Sequence, residues 1–225
     1  MKLALFDLDG TLIDSETGIV ASIGYALEKL GAAVPPREEL RSWIGPPLRM
    51  TFPRVLGDDA ATIERAVELY RERYSATGWS EHVVYVGVAE AIAALAAAGT
   101  TLAVVTSKAA LYAPRIVASL PFGAAFARVY AVPPDSAHSE KATMIAQALA
   151  DFGVAADDAA MVGDRHFDIE GARANGVRAI GAGWGFGSRE ELLEAGADAI
   201  AQTPALLVPL LRARQAPGES ACSAA

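Results

Sequence analysis

Two aspartates, Asp7 and Asp9, lie at the end of a short apolar run near the start of the chain. The run is Leu3–Phe6, and Gly10 follows the second aspartate. A carboxylate can accept a phosphoryl group, which divides hydrolysis into formation and breakdown of an acyl phosphate. A carboxylate two residues on can protonate the leaving oxygen and then activate water. The pair therefore predicts a nucleophile at Asp7 and a general acid-base at Asp9, and Gly10 permits a sharp turn after them.

Polar side chains also follow two later apolar runs. Hydroxyl groups and an ammonium group are the donors that phosphate oxygens require, and the first of these runs is followed by both types. An isolated lysine precedes the second run, near the start of a predicted helix. The predicted phosphate- and substrate-binding residues here are Thr106, Ser107, Lys108 and Lys141.

Carboxylates follow the second of these runs, at Asp164 and Asp168. Four carboxylates from two strand ends would repel one another strongly at close range, because like charges raise each other's pKa and destabilise the fold. A divalent cation resolves this repulsion. Oxygen ligands without His or Cys favour Mg²⁺, which is held by one or two carboxylates and the substrate phosphate.

Strands that deliver these residues to one edge are indicated by the alternation of short apolar runs with helical patterns. The order predicts an α/β fold, a doubly wound, Rossmann-like parallel sheet whose ligand crevice lies beyond the carboxyl ends of the strands. Gly153 and Gly176 stop two of the helices. The predicted strands are Leu3–Phe6, Leu102–Val105, Ala159–Val162 and Val177–Ile180, and the predicted helices 89–98, 109–120, 140–152 and 168–175.

Residues 15–83 differ from the rest, since their periodic stretches all look helical and no strand pattern interrupts them. We interpret this helical insertion as an all-helical cap domain with hinge linkers. The core domain is then 1–14 together with 84–214. Residues 215–225 are small and polar and are predicted to be a disordered tail.

Composition excludes several classes of partner. The chain has 225 residues, 52% of them hydrophobic and 20% charged, as in a soluble globular protein. A formal net charge of −8 argues against a nucleic-acid polymer or an anionic membrane surface. The early Asp7 is atypical of a signal peptide, and a cytoplasmic monomer or homodimer is expected. Since Cys222 is the single cysteine, neither an internal disulfide nor a cysteine metal cluster is expected.

Four motifs in this order resemble the haloacid dehalogenase superfamily, especially its phosphoglycolate phosphatase-like and 5'-nucleotidase-like members with a helical cap. The resemblance implies that Asp9 also lends its backbone carbonyl to Mg²⁺ and that Asp164 is a direct metal ligand. It implies that Asp168 holds a metal-bound water or Lys141. The motifs are Asp7-Leu8-Asp9-Gly10-Thr11-Leu12-Ile13-Asp14-Ser15, Val104-Val105-Thr106-Ser107-Lys108, Lys141, and Gly163-Asp164-Arg165-His166-Phe167-Asp168.

The branch of the superfamily can be ranked from the residues. Similar dehalogenases lack the acid-base aspartate, whereas Asp9 is present, and no histidine of the mutase type stands in 16–20. The resemblance therefore implies a Mg²⁺-dependent phosphatase of a small phosphorylated metabolite. Phosphoglycolate is the first expected substrate and a nucleoside 5'-monophosphate or sugar phosphate the alternative. A phosphomutase or a catalytically silent binding protein stays open.

Several residues keep a second interpretation. Thr106 and Ser107 could cap the helix predicted near Ala109, and Asp168 could cap its own helix. Lys108 could be a surface charge, and Lys141 a solvated one. In the helical insertion, 44–48 resembles a loop that dips toward substrate. Further candidates are Arg49 for substrate binding, Arg41 and Trp184 as possible contacts, and His166 as a surface residue.

Overall fold

A six-stranded parallel sheet forms the centre of the protein in a computed structural model that describes residues 1–133 and 141–213. The strand order is β5-β4-β1-β6-β7-β8, and a separate antiparallel pair joins β2 to β3. The predicted doubly wound α/β sheet is therefore confirmed. In chain order the strands are β1 Leu3–Phe6, β2 Ile13–Asp14, β3 Val83–Val84, β4 Thr101–Ala109, β5 Phe126–Val132, β6 Ala159–Gly163, β7 Arg178–Ala182 and β8 Ala199–Ala201.

Helices cover both faces of the sheet and fill the segment between β2 and β3. The first five helices lie in the helical insertion, as its pattern predicts, although the domain boundaries stay a prediction. In chain order the helices are α1 Glu16–Lys29, α2 Arg37–Arg41, α3 Leu48–Thr51, α4 Pro53–Leu56, α5 Ala60–Ala76, α6 Val88–Ala97, α7 Ala113–Ser119, α8 Lys141–Phe152, α9 His166–Ala174, α10 Arg189–Glu194 and α11 Leu207–Arg212.

The central strand β1 is apolar at every position because both of its faces are covered. Leu3 and Leu5 pack into one cluster with α8 and α9, and Ala4 and Phe6 into a second cluster on the opposite face. Burying a side chain of the size of leucine stabilises the fold by roughly 1.5 to 3 kcal/mol. This burial fixes the ends of the central strands, where the candidate residues lie.

Strand β4 runs further than its apolar core predicts, to Ala109. The following helix therefore begins at Ala113 rather than Ala109, with a proline in its first turn. Thr106 and Ser107 lie within the strand, so the interpretation that they cap this helix is wrong. The helix predicted from Asp168 begins two residues earlier, at His166.

The β2/β3 pair joins the helical insertion to the sheet. The chain leaves through Ile13 and Asp14 and returns through Val83 and Val84, and Asp14 pairs with Val83. The two connections therefore lie side by side.

Two remaining observations concern the rest of the chain. No helix among the described residues is both long and apolar enough to span a bilayer. The predicted tail, 215–225, and Cys222 lie outside the described residues.

Candidate active site

Asp7 and Asp9 lie in a tight turn at the carboxyl end of β1. The Asp7 N–H donates to the carbonyl of Val162 at 2.9 Å, which continues the pairing of β1 with β6. The carbonyl of Leu8 then accepts from the N–H groups of Leu12 and Ile13 at 2.9 and 3.1 Å. This turn directs the Asp7 and Asp9 side chains into one cavity beyond the strand ends.

Gly10 makes this turn possible. Its φ is +82°, a left-handed conformation that side chains disfavour. A Cβ atom at this position would lie 2.1 Å from Oδ2 of Asp164. Glycine therefore lets the turn approach the Asp164 carboxylate closely, and a phosphate contact of Gly10 stays a prediction.

The end of β4 supplies the second part of the site. Thr106 pairs with Ala131 of β5 and Ala109 pairs with the next residue, Val132, so Ser107 and Lys108 lie between consecutive pairing partners. Such an irregularity redirects side chains at the end of a strand. Thr106, Ser107 and Lys108 all line the cavity that holds Asp7 and Asp9.

Lys108 contacts both oxygens of Asp9, at 2.9 and 2.8 Å. Its side chain is only 7% exposed, so the interpretation of Lys108 as a surface charge is wrong. Burial alone would lower the pKa of Lys108, but attraction to Asp9 outweighs burial and raises that pKa above its ordinary value. Lys108 therefore stays charged and binds the Asp9 carboxylate.

Lys141 is the first residue of α8 and is buried between two aspartates. Its Nζ lies 2.9 Å from Oδ1 of Asp7 and 2.6 Å from Oδ1 of Asp168, and it donates to the carbonyl of Val105 at 3.0 Å. The interpretation of Lys141 as a solvated charge is wrong. Its ammonium group ties the ends of β1 and β4 to α9.

Asp164 and Asp168 follow β6. The Asp164 carboxylate accepts hydrogen bonds from the Thr11 hydroxyl at 3.1 Å and from the Phe186 N–H at 2.8 Å. Asp168 is the third residue of α9 and accepts from the Arg165 N–H at 3.1 Å. It is therefore not the cap residue itself, but it satisfies a backbone donor at the helix start.

The carboxylates suit a divalent cation. Oxygens of Asp7, Asp164 and Asp168 lie within 4.8 Å of one another, and all three residues are buried. Burial raises the pKa of Asp7 to about 6, opposed by Lys141 and assisted by Asp168. Burial also raises the pKa of Asp164 well above its ordinary range, as do Asp168 and Asp7. Because two lysines face four aspartates, a hard dication such as Mg²⁺ fits this set.

A cavity of about 210 Å³ lies between these strand ends and the helical insertion. Sequence reasoning did not identify its aromatic walls. Tyr70 and Tyr74, one turn apart on α5, stack with ring centroids 5.3 Å apart, and this spacing was the available signal. The other aromatic residues that line the cavity are Trp43, Tyr112, Phe167 and Phe186.

The remaining candidates lie at the edge of the site. Arg49 lines the cavity, but its guanidinium pairs with Glu64 at 2.5 and 2.8 Å. The Cζ atom of Arg41 lies 5.6 Å from the ring centroid of Phe186. The Trp184 indole donates to the carbonyl of Thr11 at 3.1 Å and so supports the turn after β1. The substrate contacts of Arg49 and Arg41 stay predictions.

His166 lies outside the carboxylate cluster. Its Nδ1 is 2.8 Å from Oε1 of Glu191, and its backbone N–H donates to the same oxygen at 2.9 Å. The imidazole thus belongs to the start of α9 and to its contact with α10.

Buried carboxylates, a hydroxyl and two lysines at the carboxyl ends of a parallel sheet define a class of hydrolase that transfers phosphoryl groups. The chain belongs to the haloacid dehalogenase-like hydrolase family, whose profile matches residues 4–182.

Several named proteins are similar to this chain in sequence or structure. The chain is 42% identical over 188 residues to a 5'-nucleotidase of Pseudomonas aeruginosa, a match that covers 84% of this chain and 85% of that protein. It is 38% identical over 187 residues to tyrosine-protein kinase PtkA of Mycobacterium tuberculosis, covering 83% of this chain but only 63% of the kinase. A predicted phosphatase from Clostridium acetobutylicum has a similar structure, with a TM-score of 0.87, 35% identity and coverage of 93% and 97%. The protein is a phosphatase of this family.

The Gly10→Ala variant is expected to lose most phosphatase activity, because the new Cβ must displace the Asp164 carboxylate. Backbone strain and overlap together are expected to lower the free energy of unfolding by about 1 to 3 kcal/mol. Urea denaturation and hydrolysis of p-nitrophenyl phosphate measure the two effects.

Gly31→Ala is the matched control for this variant. Gly31 also has a positive φ, +68°, but nothing lies within 4 Å of its Cβ position. It is expected to lose stability through backbone strain alone and to keep its activity. Equal activity in the two variants would show that contact with Asp164 does not matter.

Proposed function

We propose that the protein is a Mg²⁺-dependent phosphomonoesterase that hydrolyses small phosphorylated metabolites through an aspartyl phosphate, and that nucleoside 5'-monophosphates are its preferred substrates. The observation that carries the proposal is the meeting of Asp7, Thr106 and Lys141 at one cavity, with a carboxylate oxygen of the buried Asp164 within 4.8 Å of one of Asp7. These groups supply a nucleophile, phosphate donors and a metal ligand.

Asp7 attacks the phosphorus atom with one carboxylate oxygen. A new bond forms between that oxygen and phosphorus, and the bond from phosphorus to the ester oxygen breaks. In this proposal the Thr106 hydroxyl donates to a phosphate oxygen. The Lys141 ammonium, whose three N–H groups face Asp7, Asp168 and the Val105 carbonyl, exchanges its contact with Asp7 for one with the phosphate. Asp168 fixes the ammonium group of Lys141 at 2.6 Å and so orients it toward the phosphate.

Asp9 moves the protons of both steps. It gives a proton to the leaving ester oxygen and later takes one from the water that attacks the aspartyl phosphate. Inorganic phosphate is released and Asp7 is regenerated. Since Lys108 binds both oxygens of Asp9, the substrate must first draw Lys108 away from one of them. Lys108 would then face the phosphate, as its sequence position predicts.

The metal would be held by the carboxylates of Asp7 and Asp164 and by the backbone carbonyl of Asp9. When bound, Mg²⁺ neutralises the charge that the aspartates and the phosphate bring together. The buried side chains around Asp164 supply the rigid setting. Thr11 and the Phe186 N–H hold that carboxylate from the two sides.

The helical insertion acts in this proposal as a cap that covers the cavity and selects the leaving group. It contributes Tyr70, Tyr74 and the 44–48 loop to the cavity wall. The Ser75 hydroxyl of α5 lies 2.6 Å from the hydroxyl of Tyr112, which lies between β4 and α7. This contact brings the insertion against the strand ends. A covered site excludes water until the aspartyl phosphate has formed.

Aromatic walls support a nucleoside as the leaving group, because a planar base stacks well on aromatic rings. Apart from the lysines that the mechanism uses, the cations on the wall are already paired: Arg49 binds Glu64 and Arg165 binds Glu191. A substrate with a second anionic group would have to break one of these pairs. The 42% identity to a 5'-nucleotidase supports the same choice.

The size of the cavity favours phosphoglycolate as the second candidate. At about 210 Å³ the cavity is smaller than the roughly 300 to 1,000 Å³ of typical ligand pockets. A nucleotide would require the helical insertion to open further, whereas a two-carbon phosphoester would not.

A phosphate-release screen with Mg²⁺ is expected to separate these substrates. We expect a kcat/KM for adenosine 5'-monophosphate about fivefold to 150-fold above that for phosphoglycolate, because stacking contributes about 1 to 3 kcal/mol. EDTA is expected to abolish release, and added Mg²⁺ to restore it.

The reverse order of kcat/KM would select phosphoglycolate and reject the nucleotide preference. Activity that survives EDTA would contradict the metal dependence. Conversion of sugar phosphates without release of phosphate would instead identify a mutase. A cytoplasmic location and a monomeric or homodimeric state stay predictions.

A further inference from the structure

A charged contact joins the loop after β6 to the helical insertion. Arg165 directly follows Asp164, and its Nη1 donates to the carbonyl of Ile44 in the insertion. We propose that Arg165 is a positioning residue that holds the loop 44–48 against the leaving-group side of the cavity. This inference rests on the proposed function, and it adds a residue to which no part of the mechanism above assigns a role.

The guanidinium of Arg165 is held in place from the sheet side. Its Nε donates to Oε1 of Glu191 on α10 at 2.9 Å, and its side chain is only 14% exposed. The same Glu191 oxygen accepts from the backbone N–H and the ring of His166. The backbone N–H of Arg165 binds Asp168. Arg165 is therefore oriented by groups that do not belong to the helical insertion.

The loop is shaped to receive this side chain. Gly45 has a φ of +110°, and a Cβ atom there would lie 2.9 Å from Nη1 of Arg165. A larger residue would therefore push the guanidinium away from the Ile44 carbonyl. The loop continues through Pro46 and Pro47, whose fixed φ angles limit its freedom.

The contact links two parts of the same cavity. Arg165 and the loop 44–48 both line it, and Arg165 is bonded in sequence to the proposed metal ligand Asp164. The opposite side of the insertion is held by Tyr74 and Ser75 against Tyr112. Loss of the Arg165 contact would therefore release the 44–48 side of the insertion while the α5 side stays attached.

Arg165→Ala is expected to raise the KM for adenosine 5'-monophosphate by about tenfold, the effect of losing one hydrogen bond to a charged group. The kcat and the KM for p-nitrophenyl phosphate are expected to change much less, since this substrate needs fewer leaving-group contacts. Amide hydrogen exchange of residues 40–52 is expected to speed up by at least about tenfold, because the loop opens more often.

Two further variants make the test specific. Glu191→Gln removes the support of the guanidinium but leaves Arg165 in place, so the same changes are expected at smaller size. If Arg165→Ala does not fold, Glu191→Gln provides the test in its place. Arg128→Ala is the matched control, because Arg128 pairs with Asp151 at 2.8 Å away from the cavity, and neither readout is expected to move.

If the amides of residues 40–52 exchange at the wild-type rate in both Arg165→Ala and Glu191→Gln, the inference is overturned. So would an equal loss of kcat on both substrates with unchanged exchange, because Arg165 would then act at the phosphate. The exchange measurement needs no turnover. An inactive wild type with faster exchange in the variants would therefore reject the proposed function and leave the contact role of Arg165 standing.

Discussion

Asp7→Asn is expected to lower kcat for p-nitrophenyl phosphate by at least about 10⁴-fold, because the loss of a nucleophile removes the covalent route. The amide has nearly the shape of the carboxylate, so the cavity should keep its form. Removing one of several buried negative charges also relieves repulsion, and the free energy of unfolding is expected to change by no more than about 1 kcal/mol. Steady-state kinetics with Mg²⁺ and urea denaturation measure the two quantities.

Acid quenching of the reaction gives a second reading of the same prediction. Wild-type protein mixed with a phosphoester labelled in its phosphoryl group is expected to retain the label on the chain. Asp7→Asn is expected to retain none. Asp158→Asn is the control, since Asp158 pairs with Lys2 at 2.8 Å outside the cavity. If Asp7→Asn keeps a tenth of the wild-type kcat, Asp7 is not the nucleophile.

Lys141→Met is expected to damage both stability and activity. The methionine fills similar space but leaves the Asp7 and Asp168 carboxylates buried without their cation. Breaking a buried ion pair in this way costs about 3 to 5 kcal/mol in the free energy of unfolding. Loss of a phosphate donor is expected to lower kcat/KM by at least about a hundredfold. Denaturation is measured in EDTA, so that no bound metal offsets the repulsion between the Asp7 and Asp168 carboxylates.

Lys2→Met provides the matched comparison, because Lys2 also pairs with an aspartate but is 71% exposed. An exposed pair contributes at most about 1 kcal/mol. Adding Asp168→Asn to Lys141→Met removes one stranded carboxylate and is expected to recover stability but not activity. Equal destabilisation by Lys141→Met and Lys2→Met would mean that Lys141 does not neutralise the buried aspartates.

The sequence predicts the central part of this protein well because each apolar run marks a buried strand and also marks where the strand ends. Apolar runs such as Leu3–Phe6 are strands that both faces of the sheet bury, and a polar residue that follows such a run must lie at the sheet edge. Asp7, Thr106 and Asp164 could therefore be placed together from their positions alone. Lys141 follows no strand, and its position was predicted from the start of the helix that precedes β6.

Edge strands and contacts across the chain were not predicted. Strand β5 has exposed positions, including Arg128, and β8 is only three residues long, so neither forms an apolar run. The contact of Arg165 with Ile44 joins residues 121 apart and involves a backbone carbonyl, which no side-chain pattern can indicate. The pairing of Lys108 with Asp9 depends on the irregular end of β4, which likewise leaves no periodic signal.

The antiparallel β2/β3 pair also has an evolutionary consequence. Because Asp14 and Val83 are direct partners, the two ends of the helical insertion meet at one point of the sheet domain. Their separation is set by backbone hydrogen bonds and not by the length or composition of the residues between them. Insertions of other sizes could be exchanged at this junction with a small loop-closure penalty. Under the proposed function, leaving-group recognition can therefore diversify while the phosphoryl chemistry at the strand ends is inherited unchanged.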